Sequence, residues 1–293
     1  MTPTGRCRFL SQLLVTAVAV AGLTLSAGAD ARGPSLVYSE NWENGRLNTS
    51  EWVAQCDNLT PPYFGTRGTL KVQRRIVGQG RWAARFDLPP EATTPTACEI
   101  IHERTLDLGR DDYYALAIFF PHTWREPGDQ ERSFWGLVIA SFNYPLVKSA
   151  PVGLAAHRHY VNLIIESGYF DGYATRWRSG NGIARGNLPR MYAIPSPLKL
   201  GSWHQLIVHV HWSTGNDGAV DVWHRLRGKR RWEQTVRFRG KPTVQWSASK
   251  PAISERRTWD KFGGYRGQSS SPASVWHDAF CRATSLKAAK SCL

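Results

Sequence analysis

Short apolar runs of period two, each bounded by Gly, Pro, Asn or Asp, recur along most of this 293-residue chain. Side chains alternate between the faces of a strand, so this pattern predicts antiparallel β-structure. The clearest case is Trp203 to Trp212, where Leu206, Val208, Val210 and Trp212 fall on one face and Gln205, Ile207, His209 and His211 on the other. That division predicts one core face and one polar face. Gly215-Asn216-Asp217-Gly218 follows and offers positive-φ residues for a hairpin into a strand from Ala219 to Leu226.

Further strands are expected near Leu36 to Glu40, Thr69 to Gln73, Trp82 to Leu88, Glu99 to Thr105, Tyr113 to Phe120, Phe134 to Phe142, Val152 to Ala156, Val161 to Ser167, Trp232 to Phe238, Lys261 to Tyr265 and Val275 to Phe280. No long helical pattern alternates with them. The expected fold is therefore all-β, an antiparallel two-sheet sandwich with jelly-roll wiring rather than a parallel α/β sheet. Tyr169 to Leu200, rich in Gly, Pro and Arg, reads as one long loop, either a lid or binding segment or a simply disordered stretch. At 42% hydrophobic and 20% charged, the chain can bury a sizeable core, which excludes wholesale disorder.

Arg6 and Arg8 precede an apolar run from Phe9 to Leu25 that ends in Ala27-Gly28-Ala29, the form of a secretory signal and its cleavage site. A retained anchor would need about 20 apolar residues, and Ser11, Gln12 and Thr16 interrupt this run. Residues 1–29 are thus expected to be a signal peptide and 30–293 a single exported domain, extracytoplasmic and free of the membrane after cleavage. Without Arg6 and Arg8 the balance is 35 basic to 23 acidic residues, a net charge of +12. Basic residues are densest between Arg225 and Arg239, interleaved with Trp232 and Phe238. Such a field draws anionic polymers or acidic surfaces. Cys7 leaves with the signal, and Cys56, Cys98, Cys281 and Cys292 remain, an even number in an oxidising compartment. Of three possible pairings, Cys56–Cys98 with Cys281–Cys292 is preferred, because the short second loop would pin the C-terminal tail.

Esterase, nucleotide-binding and zincin motifs are absent, and so is the Glu-x-Asp-x-x-Glu strand of laminarinase-like glycosidases. Glu99 and Glu103 share a strand face but sit about 13 Å apart at the usual rise, too far for a glycosidase pair. His157 with His159, and His209 with His211, have the spacing of a metal pair, an acid/base wall or a plain polar face. Trp223, Trp232, Trp246, Trp259 and Trp276 are candidates for sugar-stacking platforms or for core. In Gly263-Gly264-Tyr265-Arg266-Gly267, glycines that allow close approach flank a phenol beside a cation.

Four segments taken in order resemble the polysaccharide lyase family that includes heparin lyase I and glucuronan lyase. They are Glu40 to Gly45, Cys98 to Ile100 leading to Tyr113, Tyr114 and Pro121, Trp203 to Trp223, and Lys261 to Arg266 before Trp276-His277-Asp278. The resemblance implies a concanavalin-like jelly roll that cleaves an acidic polysaccharide by β-elimination. That reaction needs a group to neutralise the uronate carboxylate, a base for the proton at C5 and an acid for the leaving O4. The family's Gly-x-Tyr-Arg strand falls on Gly263 to Arg266, which implies Tyr265 as acid, and as base if positive charge lowers a phenol pKa from about 10. Arg266 becomes a substrate contact, with Ser141, Glu99 and His102 as further contacts. The family's Gln-x-His strand falls on Ser141-Phe142-Asn143, where Ser and Asn replace Gln and His; Asn143 could bind the carboxylate and His157 or His159 could supply the base. Its Arg-x-Glu strand keeps Glu99 but has Ala97 in place of Arg. No cofactor is implied, and no motif indicates a structural calcium ion. The expected partner is an acidic polysaccharide. A non-catalytic carbohydrate-binding protein on the same fold is the alternative. Nucleic acid, suggested only by charge and aromatic content, is not an expected partner.

Overall fold

A computed structural model of the chain describes residues 35–56, 66–91, 96–105, 108–125, 137–143, 152–157, 160–165, 190–240, 243–244, 257–267 and 269–293. The expected signal peptide, His159, Trp246 and the greater part of the expected long loop lie outside the described residues. Pro34–Leu293 form one compact unit.

Eight strands form a first sheet: β1 (Leu36–Glu40), β4 (Thr69–Gln73), β5 (Ala83–Leu88), β7 (Asp111–Phe119), β12 (Trp203–His211), β13 (Ala219–Leu226), β14 (Glu233–Arg239) and β16 (Ala273–Ala283). Their order is β14-β13-β12-β7-β16-β5-β4, and β1 also pairs with β16. The second sheet holds β2 (Val53–Gln55), β3 (Thr66–Arg67), β6 (Thr96–Thr105), β8 (Leu137–Asn143), β9 (Val152–His157), β10 (Tyr160–Ile165), β11 (Arg190–Pro197) and β15 (Arg257–Arg266). It runs β11-β10-β9-β8-β15-β6-β2, with β3 also on β6. Only the two-residue β3 pairs in parallel. The all-β, two-sheet expectation holds.

One core lies between the sheets. Phe86, Leu116, Leu206 and Phe280 meet Ile100, Phe142, Leu154 and Phe262, all buried. Phe262 stacks on Phe280 with centroids 4.3 Å apart, and Tyr114 on Phe142 at 4.0 Å. The core also holds a network of ions. Asp112 accepts from Arg282 Nε and Nη2 at 2.9 and 2.7 Å and from Trp212 Nε1 at 2.8 Å. Asp260 accepts from Arg104 Nε at 2.7 Å and from the Tyr38 hydroxyl. Burial pushes the Tyr38 and Tyr114 phenols well above the usual range, so both stay protonated donors.

Three sequence expectations need correction. Part of the expected loop is strand: Arg190–Pro197 forms β11 on the free edge of β10. The expected polar face of β12 is buried too, with Gln205, Ile207 and His209 all below one-tenth exposed. What covers part of it is α1 (Leu286–Ser291), whose Ala288 and Ala289 pack with Ala115, Ile207 and Ala283. The Cys281–Cys292 disulfide pins this helix, and Cys56–Cys98 forms as well, so the preferred pairing holds. Finally, the β12–β13 turn uses no positive-φ residue. Ser213 closes it instead, donating to Asp217 and accepting from Gly215 N at 2.9 Å. Gly228, at φ 85°, serves the next hairpin.

His209 and His211 lie on this outward face of the first sheet. His209 sits between Asp111, 2.7 Å from Nε2, and Asp221, 3.0 Å from Nδ1, and stacks on Tyr113. Burial opposes its protonation, but its hydrogen bonds to the Asp221 and Asp111 carboxylates raise its pKa above 6.5 on balance. A raised histidine pKa contributes stability that is complete below the unfolded value and is lost as pH rises through the folded one. The melting temperature should therefore fall as pH rises from 6.5 through that higher value, and His209→Gln should flatten this limb in melts recorded against pH.

Candidate active site

Strand β15 lies between β6 and β8, so the residues opposite its side chains share its two faces. Tyr265 pairs with Ala97 and Val138, Lys261 with Ile101 and Ser141, and Trp259 with Glu103 and Asn143. Phe262 points into the core, and alternation sends this set to the outward face of the second sheet. Tyr265 is half-buried there rather than enclosed. The Lys261 ammonium lies 3.7 Å from Glu99 Oε2, with both side chains less than one-fifth exposed. Buried Ala97, Ile101 and Ala155 make the floor between them. The face thus offers a phenol, a cation, a carboxylate, a hydroxyl and an indole over an apolar base.

Glycine sets this geometry at one point. The pairing of β15 with β8 slips between Phe262 and Tyr265, and Gly263 in the slip has φ 142°. A Cβ there would run into the Cys98 carbonyl oxygen and sit 2.8 Å from Glu99 Cα, so only glycine allows β6 this close. From the opposite sheet His277 Nε2 donates to the Gly263 carbonyl at 2.9 Å. Burial holds the His277 pKa down at about 3, which keeps the ring neutral. Gly263→Ala should push β15 off β6, lowering the melting temperature and displacing Tyr265; thermal melts and initial rates on the same preparation check both.

The structure separates the residues singled out from sequence. Tyr265, Glu99 and Ser141 come to one face, joined by Lys261. Asn143 and His157 belong to β8 and β9, and only their backbone is described; His159 lies outside the described residues. Two expected contacts are corrected. Arg266 is 1% exposed and donates to the Leu88 and Pro89 carbonyls at 3.4 and 2.8 Å, so it faces inward. His102 also points between the sheets, stacked on Tyr38 at 3.9 Å. Among the tryptophans, Trp259 is on the site face, Trp276 is buried in a separate apolar cluster and Trp223 packs beside the helix. Lys261 was not singled out, although four residues along one strand already put it on the face of Tyr265.

A family model described as "Polysaccharide lyase" matches residues 39–281, which take in both sheets and β15. The chain belongs to this polysaccharide lyase family. No curated protein matches it. Among solved structures, an endo-β-1,4-glucuronan lyase from the fungus Trichoderma reesei is similar at 15% identity and TM-score 0.60, over 86% of this chain and 96% of that one. At that identity the likeness shows the jelly-roll fold alone. A PL-14 alginate lyase from Aplysia kurodai, at 11% identity, 74% and 87% coverage and TM-score 0.46, is more distant. So is a laminarinase from Flavobacterium sp. UMI-01, at 10% identity, 86% and 100% coverage and TM-score 0.46.

Proposed function

We propose that this polysaccharide lyase is exported and cleaves a uronate-containing polysaccharide by β-elimination on the outward face of the second sheet. The observation that carries the reading is the half-buried Tyr265 on one face with Lys261, Glu99 and Ser141. Glu99 holds the Lys261 ammonium over the apolar floor, where it offsets the charge of a uronate carboxylate and makes the C5 proton acidic. Tyr265, entering the step as its phenolate, takes that proton and becomes the phenol, the C–H pair forms the C4–C5 double bond, the C4–O4 bond breaks, and O4 leaves with the proton given back by the phenol, which regenerates the phenolate. One group serving both steps needs H5 and O4 on the same side of the ring, as in β-linked glucuronate. The two disulfides support export, since such bonds persist in oxidising compartments.

Incubation with glucuronan, alginate, heparin and hyaluronan, followed by ultraviolet absorbance of the unsaturated uronate, tests the reading. Product should form from glucuronan, and silence on the whole panel overturns it. The second reading, a carbohydrate-binding protein without turnover, is favoured by Ala97, which faces Tyr265 with a methyl group. Saturable binding of the same polymers without absorbance would select it.

A further inference from the structure

The densest run of basic residues has no part in the Tyr265 face described above. It lines an open cleft of about 520 Å³ at one end of the first sheet, formed by the β13–β14 hairpin, the Gly78-Gln79 turn and the Leu293 end of the chain. Arg225, Arg227, Lys229 and Arg230 all face it. Arg225 is partly covered: its Nε donates to Gln205 Oε1 at 2.6 Å, its Nη2 to the Leu293 oxygen at 3.2 Å, and its guanidinium lies 4.3 Å over the Trp232 ring. Arg227, Lys229 and Arg230 are exposed. Arg227 donates to the Val77 carbonyl, a neutral acceptor, at 2.8 Å. Among the described residues no side-chain carboxylate pairs with any of the four. Behind the Gly78-Gln79 turn, Asp278 accepts from the Gly78 and Gln79 amides at 2.8 and 2.9 Å, and burial pushes its pKa up to about 7. Even with a carboxylate counted at Leu293, the cleft stays strongly positive.

We infer that this cleft is a second binding site, on the first sheet rather than on the Tyr265 face of the second, for the anionic groups of an acidic polysaccharide chain. Four cations within six residues, held on a hairpin and paired with no side-chain carboxylate among the described residues, attract carboxylate or sulfate groups. The lining also decides against single-stranded nucleic acid, which is held by bases stacked on open aromatic rings. The cleft has no aromatic in its lining, and the Trp232 ring beside it is covered by Arg225. Gly228 leaves its edge of the cleft open to a broad polymer, since a Cβ there would meet nothing within 4 Å. Only the choice of polymer rests on the proposed function; the site itself does not depend on turnover.

The test compares the unaltered protein with Arg227→Ser/Lys229→Ser/Arg230→Ser and with Arg46→Ser/Lys71→Ser/Lys287→Ser, which removes equal charge from exposed positions outside the cleft lining. Affinity for alginate and for heparin is measured at low and high salt, with single-stranded DNA as a third probe, and thermal melts confirm folding. The cleft variant should bind both glycans about tenfold more weakly at low salt, with the gap closing at high salt, while the control variant stays near the unaltered protein. Equal losses in the two variants would reduce the effect to net charge and overturn the site. Tighter binding of DNA than of either glycan, lost in the cleft variant, would overturn the ligand class. Tyr265→Phe should keep its glycan affinity. Failure of the elimination assay with the cleft effect intact would therefore strike the proposed reaction and leave the second site standing.

Discussion

Tyr265→Phe is expected to lower turnover on the cleaved polysaccharide by about 10²–10⁴-fold, the contribution typical of a positioned proton-transfer group. The substitution removes one oxygen and keeps the ring, so the half-buried contacts of Tyr265 with its strand neighbours persist. KM and melting temperature should stay close to those of the unaltered protein. Initial rates of unsaturated product against substrate concentration, with a melt on the same sample, separate the two effects. A rate within about threefold of the original would remove the phenol from the proton-transfer step. Lys261→Met should behave differently: loss of the cation proposed to meet a uronate carboxylate should weaken both ground-state binding and the transition state, so that KM rises as kcat falls.

The largest expected loss of stability comes from Asp112→Ala. Asp112 is 1% exposed and accepts from Arg282, Trp212 and Tyr114, with Arg104 Nη1 3.7 Å away. Truncation leaves two guanidiniums sharing a dry interior with one carboxylate, that of Asp260. Breaking a buried pair in this way costs about 3–5 kcal/mol, which for a domain of this size lowers the melting temperature by roughly 10 °C. Calorimetry or circular-dichroism melts would show it. A change of under about 2 °C would mean that water or movement of Arg282 relieves the charge.

Period-two alternation located the longer strands because each has one face on the inter-sheet core. It failed where its physical basis was absent. β2 and β3, three and two residues long, are too short to show a period. β11 was disguised by Pro195 and Pro197, which a strand tolerates at a sheet edge, and among the described residues β11 pairs with β10 alone. The second buried face of β12 was hidden because its cover, α1, lies some 80 residues further along the chain. Within the site, alternation carried more than motif adjacency did. Arg266 stands next to Tyr265 and must point the other way, and His102 is out of phase with Glu99 for the same reason. Lys261 is in phase with Tyr265, and that signal was legible. The ion network around Asp112 was not, since its members come from β7, β16, β6 and β15 and meet only in the folded chain.

The pairing of β1 with β16, from Leu36 opposite Ala283 to Glu40 opposite Phe280, bears on how the molecule can be made. During synthesis β1 must wait for β16, about 240 residues later in the chain, because β16 is both its partner and the strand that joins β5 to β7. Contacts this remote in sequence form slowly, so the chain cannot assemble piecewise from its amino end. Chaperones would meet the first sheet with β1 still open, and that pairing would close late.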